Sequence, residues 1–353
     1  MYGPPSRTVN LVGPSGMENG VTVYSCFSHN SLPTLLDRAQ PAISWKYYAN
    51  STDADQSGPE GIWTAPNAIY DICLPNSDSP QPHCMGPDWI NDVVFTPSQI
   101  LSDLGAGGAT GCGLRQVSWV VPNGDRSDHP GFSGSQNDSH QIEGGPAWVA
   151  DIINAVGTSP CQNPDTSSYW NTTAIFVVWD DWGGFWDHVN PDASAGGPGV
   201  LYKATGHDCS GFGCGYIYGF RVPLLVVSAY TGVLNKDGTY SGYVSGACKS
   251  PGVCQNETFP YIHDFGSIVA FIENNFLGAG EIGQINPQYK FADNFAPDFK
   301  NGNVPLSDFF PLAAARPFQQ IILPPSWQGY DANYFLNYNG QILDPDNDAI
   351  DND

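Results

Sequence analysis

The run Thr173-Ala-Ile-Phe-Val-Val-Trp179 stops abruptly at Asp180 and Asp181, followed by Trp182, two glycines, Asp187 and His188. Two adjacent carboxylates repel each other unless a cation holds them. Hard oxygen donors suit a divalent ion such as Mg, Ca, Mn or Zn. Asp180 and Asp181 are therefore candidate metal ligands, and Gly183 and Gly184 allow a sharp turn or a close approach of backbone to ligand. A second polar cluster, Pro122-Asn-Gly-Asp-Arg-Ser-Asp-His-Pro130, holds Asp125, Arg126, Asp128 and His129. Carboxylates that clamp a cation, beside imidazoles that donate a proton to a leaving oxygen, are what phosphoester hydrolysis requires. His129 and His188 are the candidate catalytic imidazoles, and Asp187 and Trp182 the candidate substrate-binding residues. Taken singly, each has an ordinary structural use; together they fit phosphoester chemistry.

The elements that must position these residues follow from hydrophobic patterning. Ile175–Trp179 is short, β-branched and aromatic, and reads as a buried strand of a parallel sheet with the Asp pair just past its carboxyl end, where open α/β sheets bind ligands. Val117–Val121 reads as a second such strand. The two are expected to deliver both polar clusters to one edge of one sheet. Ala42–Tyr48 and Val222–Ser228 complete the expected strands, and helices are expected over Asn30–Ala39, Pro97–Leu104, Pro146–Val156 and Phe265–Phe276. This alternation implies βαβ units: an α/β fold with a mostly parallel sheet flanked by helices. Residues 50–92 read as a long polar excursion, and about 190–219 and 231–262 as Gly- and Cys-rich loop insertions. The expected organisation is an irregular lead-in over 1–25, one α/β domain over 26–340, and an acidic tail over 341–353.

Composition narrows the function classes. Twelve Lys and Arg against 35 Asp and Glu give a formal charge of -23, which excludes a nucleic-acid partner because phosphate-backbone binding needs a basic footprint. Nine cysteines, several in close pairs (Cys73 with Cys84, Cys209 with Cys214, Cys248 with Cys254), point to disulfides and a secreted or periplasmic protein. The spacings are not those of a zinc finger or ribbon. The odd count leaves at least one thiol unpaired. No stretch approaches a transmembrane span, and the first residues are not a signal peptide. His29, His140 and His207 read as ordinary loop residues. His263-Asp264 reads as a helix cap before Phe265, and Asp344, Asp346 and Asp348 as a solvated tail rather than a calcium loop.

The chain resembles the phosphoesterase family of the non-Bacillus bacterial phospholipases C and the acid phosphatases A. The resemblance rests on Ser44-Trp-Lys-Tyr-Tyr48, Gly61-Ile-Trp-Thr-Ala-Pro-Asn67, Ser127-Asp-His-Pro130, Val178-Trp-Asp-Asp-Trp-Gly-Gly-Phe-Trp-Asp-His188, Arg221-Val-Pro-Leu-Leu-Val-Val-Ser228 and Asp264-Phe-Gly-Ser-Ile268. It implies an alkaline-phosphatase-like α/β core and a divalent metal held by Asp180 and Asp181. It also implies His129 and His188 at a phosphate site, and a phosphate ester or phospholipid as substrate.

Two family features have no counterpart here. The Glu-Asn motif near the family's amino terminus is not matched by Glu18-Asn19, and the segment bearing the Ser or Thr nucleophile is not found, so the nucleophile is unknown. The chain is expected to correspond to the carboxyl-terminal part of such an enzyme and to turn over little substrate by itself. The alternative is a secreted, non-catalytic binding or self-assembling structural protein that retains the fold.

Overall fold

The computed structural model describes residues 8–12, 18–24, 26–28, 31–49, 64–75, 84–122, 126–127, 144–183, 186–187, 219–242, 244–245, 263, 265–277 and 306–337. In chain order its elements are β1 (Thr8–Val12), β2 (Glu18–Tyr24), α1 (Leu32–Arg38), β3 (Trp45–Tyr48), α2 (Tyr70–Cys73), α3 (Pro87–Asp92), β4 (Val93–Val94), α4 (Gln99–Asp103), β5 (Val117–Val120) and α5 (Gly145–Thr158). There follow α6 (Tyr169–Thr172), β6 (Ala174–Val178), β7 (Leu224–Ser228), β8 (Val233–Leu234), β9 (Tyr240–Ser241), β10 (Val244–Ser245), α7 (Phe265–Phe276) and α8 (Ala332–Asn337). They fall into two compact units. The described residues up to 152 and from 322 onward form one, and those between 153 and 321 form the other.

The first unit carries a parallel sheet of order β4-β3-β5, flanked by helices, so the α/β class stands. Helix α1 starts where Ser31 accepts from the Thr34 amide and the Thr34 hydroxyl pairs with the Ser31 backbone N–H, a reciprocal cap that fixes the helix start. Its Asp37 accepts from the Trp45 indole at 2.8 Å and so ties the helix to β3. Along β3, Trp45 and Tyr48 point into the core while the register sets Tyr47 opposite Trp119 of β5. Strand β4 was not foreseen, because two valines after a polar excursion give too short a run for a period to show.

One polar network is built into this core. The Asp103 carboxylate accepts from Lys46 Nζ at 2.7 Å, the Tyr48 hydroxyl at 2.6 Å and Gln99 Nε2 at 3.0 Å. Burial alone would raise the Asp103 carboxyl, but these hydrogen bonds together hold it below the ordinary carboxylate value. Burial, and donation to Asp103, keep the Tyr48 phenol far above its own. Such a site is stable only when every member is paired.

The structure departs from the expected pattern in strand direction and in the lead-in. Residues 8–24, expected as irregular, hold an antiparallel hairpin of β1 and β2, in which Val9 faces Val23 and Thr8 faces Tyr24. Glycine, proline and serine around the strands masked their short alternation. In the second unit, β6 pairs with β7 and β7 with β10, all antiparallel, in a sheet separate from that of β5. The two polar clusters therefore do not leave one edge of one parallel sheet. A continuous apolar run reports burial, not strand direction, and β6 is only half-buried, with Val178 exposed. The core here gathers Val226, Leu306 and Phe309, with Phe176, Ile268 and Phe271 packed against them.

Cys73 and Cys84 form a disulfide, as their spacing suggests, and Cys112 and Cys161 are also disulfide-bonded. Cys26 is a free, buried thiol whose burial pushes it up to about 11. Cys209, Cys214, Cys248, Cys254 and the acidic tail lie outside the described residues. Among the described residues no helix is long and apolar enough to cross a membrane.

Two predictions follow from buried charge. Asp103→Ala strands the Lys46 ammonium and the Tyr48 hydroxyl without their acceptor, and is expected to cost about 3–5 kcal/mol in urea unfolding; a loss below about 1 kcal/mol contradicts the network. Asp151 on α5 is 7% exposed, and one of its carboxylate oxygens lacks a hydrogen-bond partner. Burial, then the charge of Asp331, push its carboxyl up to about 7. The folded chain keeps this proton to higher pH than the unfolded chain does. The resulting stabilisation is full below about pH 4 and is lost as pH rises toward 7, with an upper bound of about 4 kcal/mol. Asp151→Asn removes this pH dependence, so wild type loses stability relative to the variant between pH 4 and 8; parallel curves contradict it.

Candidate functional site

Strand β6 ends at Val178, and the register Val178↔Leu224 places that end beside the start of β7. The described residues 179–183 and 219–223 therefore flank the sheet at the same end. Asp180 and Asp181 are both exposed, not buried in the interior. An Asp181 carboxylate oxygen accepts the backbone N–H of Gly183, an Asx turn that reverses the chain after the carboxylate pair. Gly183 sits at φ +62, where an L side chain is strained.

Two contacts hold the far side of this turn. The Trp182 ring meets Phe220 edge to face, with centroids 6.0 Å apart at 86°. It also lies against Gly219, where a Cβ would come within 2.4 Å of the indole. Trp182 is nonetheless 43% exposed, and Trp186 is 78% exposed. The second contact is a forked ion pair: Arg221 Nε donates to Asp187 Oδ2 at 2.7 Å and Nη2 to Asp187 Oδ1 at 3.0 Å. Hydrogen bonding to Asp187 raises the Arg221 guanidinium above its ordinary value. Planar bidentate pairing of this kind fixes orientation as well as distance.

The structure thus brings Asp180, Asp181, Trp182 and Asp187 together at one sheet end and adds Arg221, which the sequence reading assigned no role. The hints were its place just before a strand and at the head of a segment that carries the family resemblance, and the first becomes informative once β7 is known to run antiparallel to β6. His129, His188, Asp125 and Asp128 lie outside the described residues. Arg126, from the same cluster as His129, is buried with its guanidinium 5.0 Å from the Phe335 ring centroid and 5.8 Å from that of Tyr334. That is a packing role. His263 lies against Phe309, with ring centroids 5.1 Å apart.

Among the described residues, no group of three or more His, Cys, Asp and Glu is arranged to hold a metal ion. Asp180 and Asp181 supply two accessible hard donors. That is part of the shell a Ca or Mg ion takes, and imidazole or further oxygen ligands must complete it.

A family model described as the Phosphoesterase family matches residues 10–277. Phospholipase C A of Mycobacterium tuberculosis is 27% identical over 232 residues, covering 62% of this chain and 38% of that protein. Phospholipase C B of the same organism is 34% identical over 124 residues, 33% of this chain and 21% of its own. The non-hemolytic phospholipase C of Pseudomonas aeruginosa is 36% identical over 81 residues, 23% of this chain and 10% of its own. The chain thus spans under two-fifths of the length of these relatives. No solved structure matches.

The aromatic brace is directly testable. Gly219→Ala drives a methyl group into the Trp182 ring, and is expected to alter the near-ultraviolet circular dichroism and to cost about 1–3 kcal/mol. In a Trp182→Phe background the spectral change should largely vanish. The same spectral change with and without Trp182 contradicts the contact.

Proposed function

Starting from a chain that belongs to the Phosphoesterase family, we propose that it acts on phosphoric esters at the end of β6, with Asp180 and Asp181 holding a divalent cation, Mg, Ca, Mn or Zn. The observation that carries this reading is the pair of adjacent, solvent-facing carboxylates just past that strand, in a turn pinned by Gly183 and by the Asp187–Arg221 pair. Such a cation, when bound, neutralises charge on phosphoryl oxygens and orients them for in-line attack.

The chain's own residues divide the remaining work. Asp180 and Asp181 would hold the cation, and the Asx turn to Gly183 fixes the Asp181 side chain before any ion arrives. His129 and His188 supply imidazoles to protonate the leaving oxygen. Trp182, held by Phe220 and Gly219, gives the organic part of the ester an apolar wall. The nucleophile is not assigned. The relatives named phospholipase C favour a phospholipid head group over a simple phosphomonoester as substrate, and the disulfides favour an exported protein.

Calorimetric titration with Mn²⁺ tests the metal assignment. Asp180→Asn and Asp181→Asn are each expected to weaken binding by at least about tenfold without unfolding the chain. Hydrolysis of an aryl phosphate, where it is observed with added Mg, Ca, Mn or Zn, should fall in parallel. Mn²⁺ affinity and turnover both unchanged in the two variants contradict the assignment.

A further inference from the structure

A phosphate ester approaching this sheet end meets an electrostatic obstacle. The chain carries a formal charge of -23, with only 12 Lys and Arg in 353 residues, and its two adjacent carboxylates face solvent. A phosphoryl anion is repelled by such a surface unless local positive charge outweighs it. Among the described residues, a cation stands at the same end of the sheet, three residues before the strand that pairs with β6: Arg221.

The geometry of Arg221 separates two uses. Its Nε and Nη2 edge is committed to Asp187, which is 15% exposed, while the Arg221 side chain itself remains 56% exposed. The pair pins the loop, and the exposure of its cation also leaves the guanidinium within reach of an anion from solvent. With one edge of the fork held by a half-buried carboxylate, the Nη1 edge is directed away from that carboxylate as a donor pair of fixed orientation. This is the arrangement in which Arg recognises phosphate with little loss of side-chain entropy.

We infer that Arg221 binds a phosphoryl oxygen of the substrate and that Asp187 is its positioning residue, acting on the ester through the guanidinium and not by contact. The inference rests on the phosphoric-ester reading given above. It reassigns Asp187 from the direct substrate contact expected from sequence. It also explains why a chain so poor in cations places one just before β7, in a bidentate pair at the sheet end that carries the two carboxylates.

The test is calorimetric titration with inorganic phosphate, with Mn²⁺ present, on the full chain and on Arg221→Ala, Arg221→Lys and Asp187→Asn, with Mn²⁺ affinity and thermal stability measured alongside. Arg221→Ala should weaken phosphate binding by about tenfold to a hundredfold, the range for a hydrogen bond to a charged group, and weaken Mn²⁺ binding far less, because the Asp181–Gly183 turn stays in place. Arg221→Lys keeps the charge but not the fork and should recover only part of the loss. Asp187→Asn should weaken phosphate severalfold although Arg221 is intact, which a direct anionic contact would not do. If Arg221→Ala does not fold, Arg221→Lys decides alone. Phosphate affinity equal to wild type in the folded Arg221 variants overturns this inference, and if Asp180→Asn still abolishes Mn²⁺-dependent phosphate binding, the phosphoric-ester reading survives it. Failure of the unaltered chain to bind phosphate with Mn²⁺ overturns both.

Discussion

Like charge at close quarters is the constraint around which this sheet end is arranged. Asp180 and Asp181 are neighbours in sequence, both open to solvent, on a chain whose anions outnumber its cations nearly threefold. Mutual repulsion of adjacent carboxylates favours whatever positive charge can reach them. The local structure holds the pair in place instead of letting it spread. Asp181 is turned back on the Gly183 amide, and the chain beyond it is anchored by a forked bond to Arg221 across an interval of 34 residues. The proposed cation and the proposed guanidinium contact answer the same imbalance from two sides.

Antiparallel pairing makes this economical. Because β7 begins where β6 ends, residues far apart in sequence meet at one sheet end. Phe220 and Gly219 then brace Trp182, and Arg221 takes Asp187, all from the few residues that lead into β7. The first unit solves a different problem. There a buried Lys46–Asp103 pair is made tolerable by Tyr48 and Gln99, while Asp151 has no such company and keeps its proton instead. Burial pushes both carboxyls up; at Asp103 the hydrogen bonds together outweigh it, and at Asp151 the charge of Asp331 adds to it.

Much of the element list was legible from periodicity. The helices over 32–38, 99–103, 145–158 and 265–276, and the strands at 45–48, 117–120, 174–178 and 224–228, fall inside or within a residue or two of the expected ranges. What periodicity cannot carry is partnership. A run such as Ala-Ile-Phe-Val-Val says that a strand forms, but the direction of its neighbour depends on where the intervening 45 residues return the chain. For that reason the single parallel sheet became two sheets, and Arg221 acquired meaning only with the register known. Short or Gly-rich strands, β4 and the β1–β2 hairpin, gave too little pattern to read. The Asp-Asp-Trp-Gly-Gly element, by contrast, announced itself by residue type alone.

The central claim is that a divalent cation sits on Asp180 and Asp181. Crystals of the protein soaked in Mn²⁺ and recorded for anomalous scattering test it most directly. The account predicts an anomalous peak within bonding distance of both carboxylates, at the end of β6. Manganese bound elsewhere, with these two side chains free in the same crystals, would contradict it.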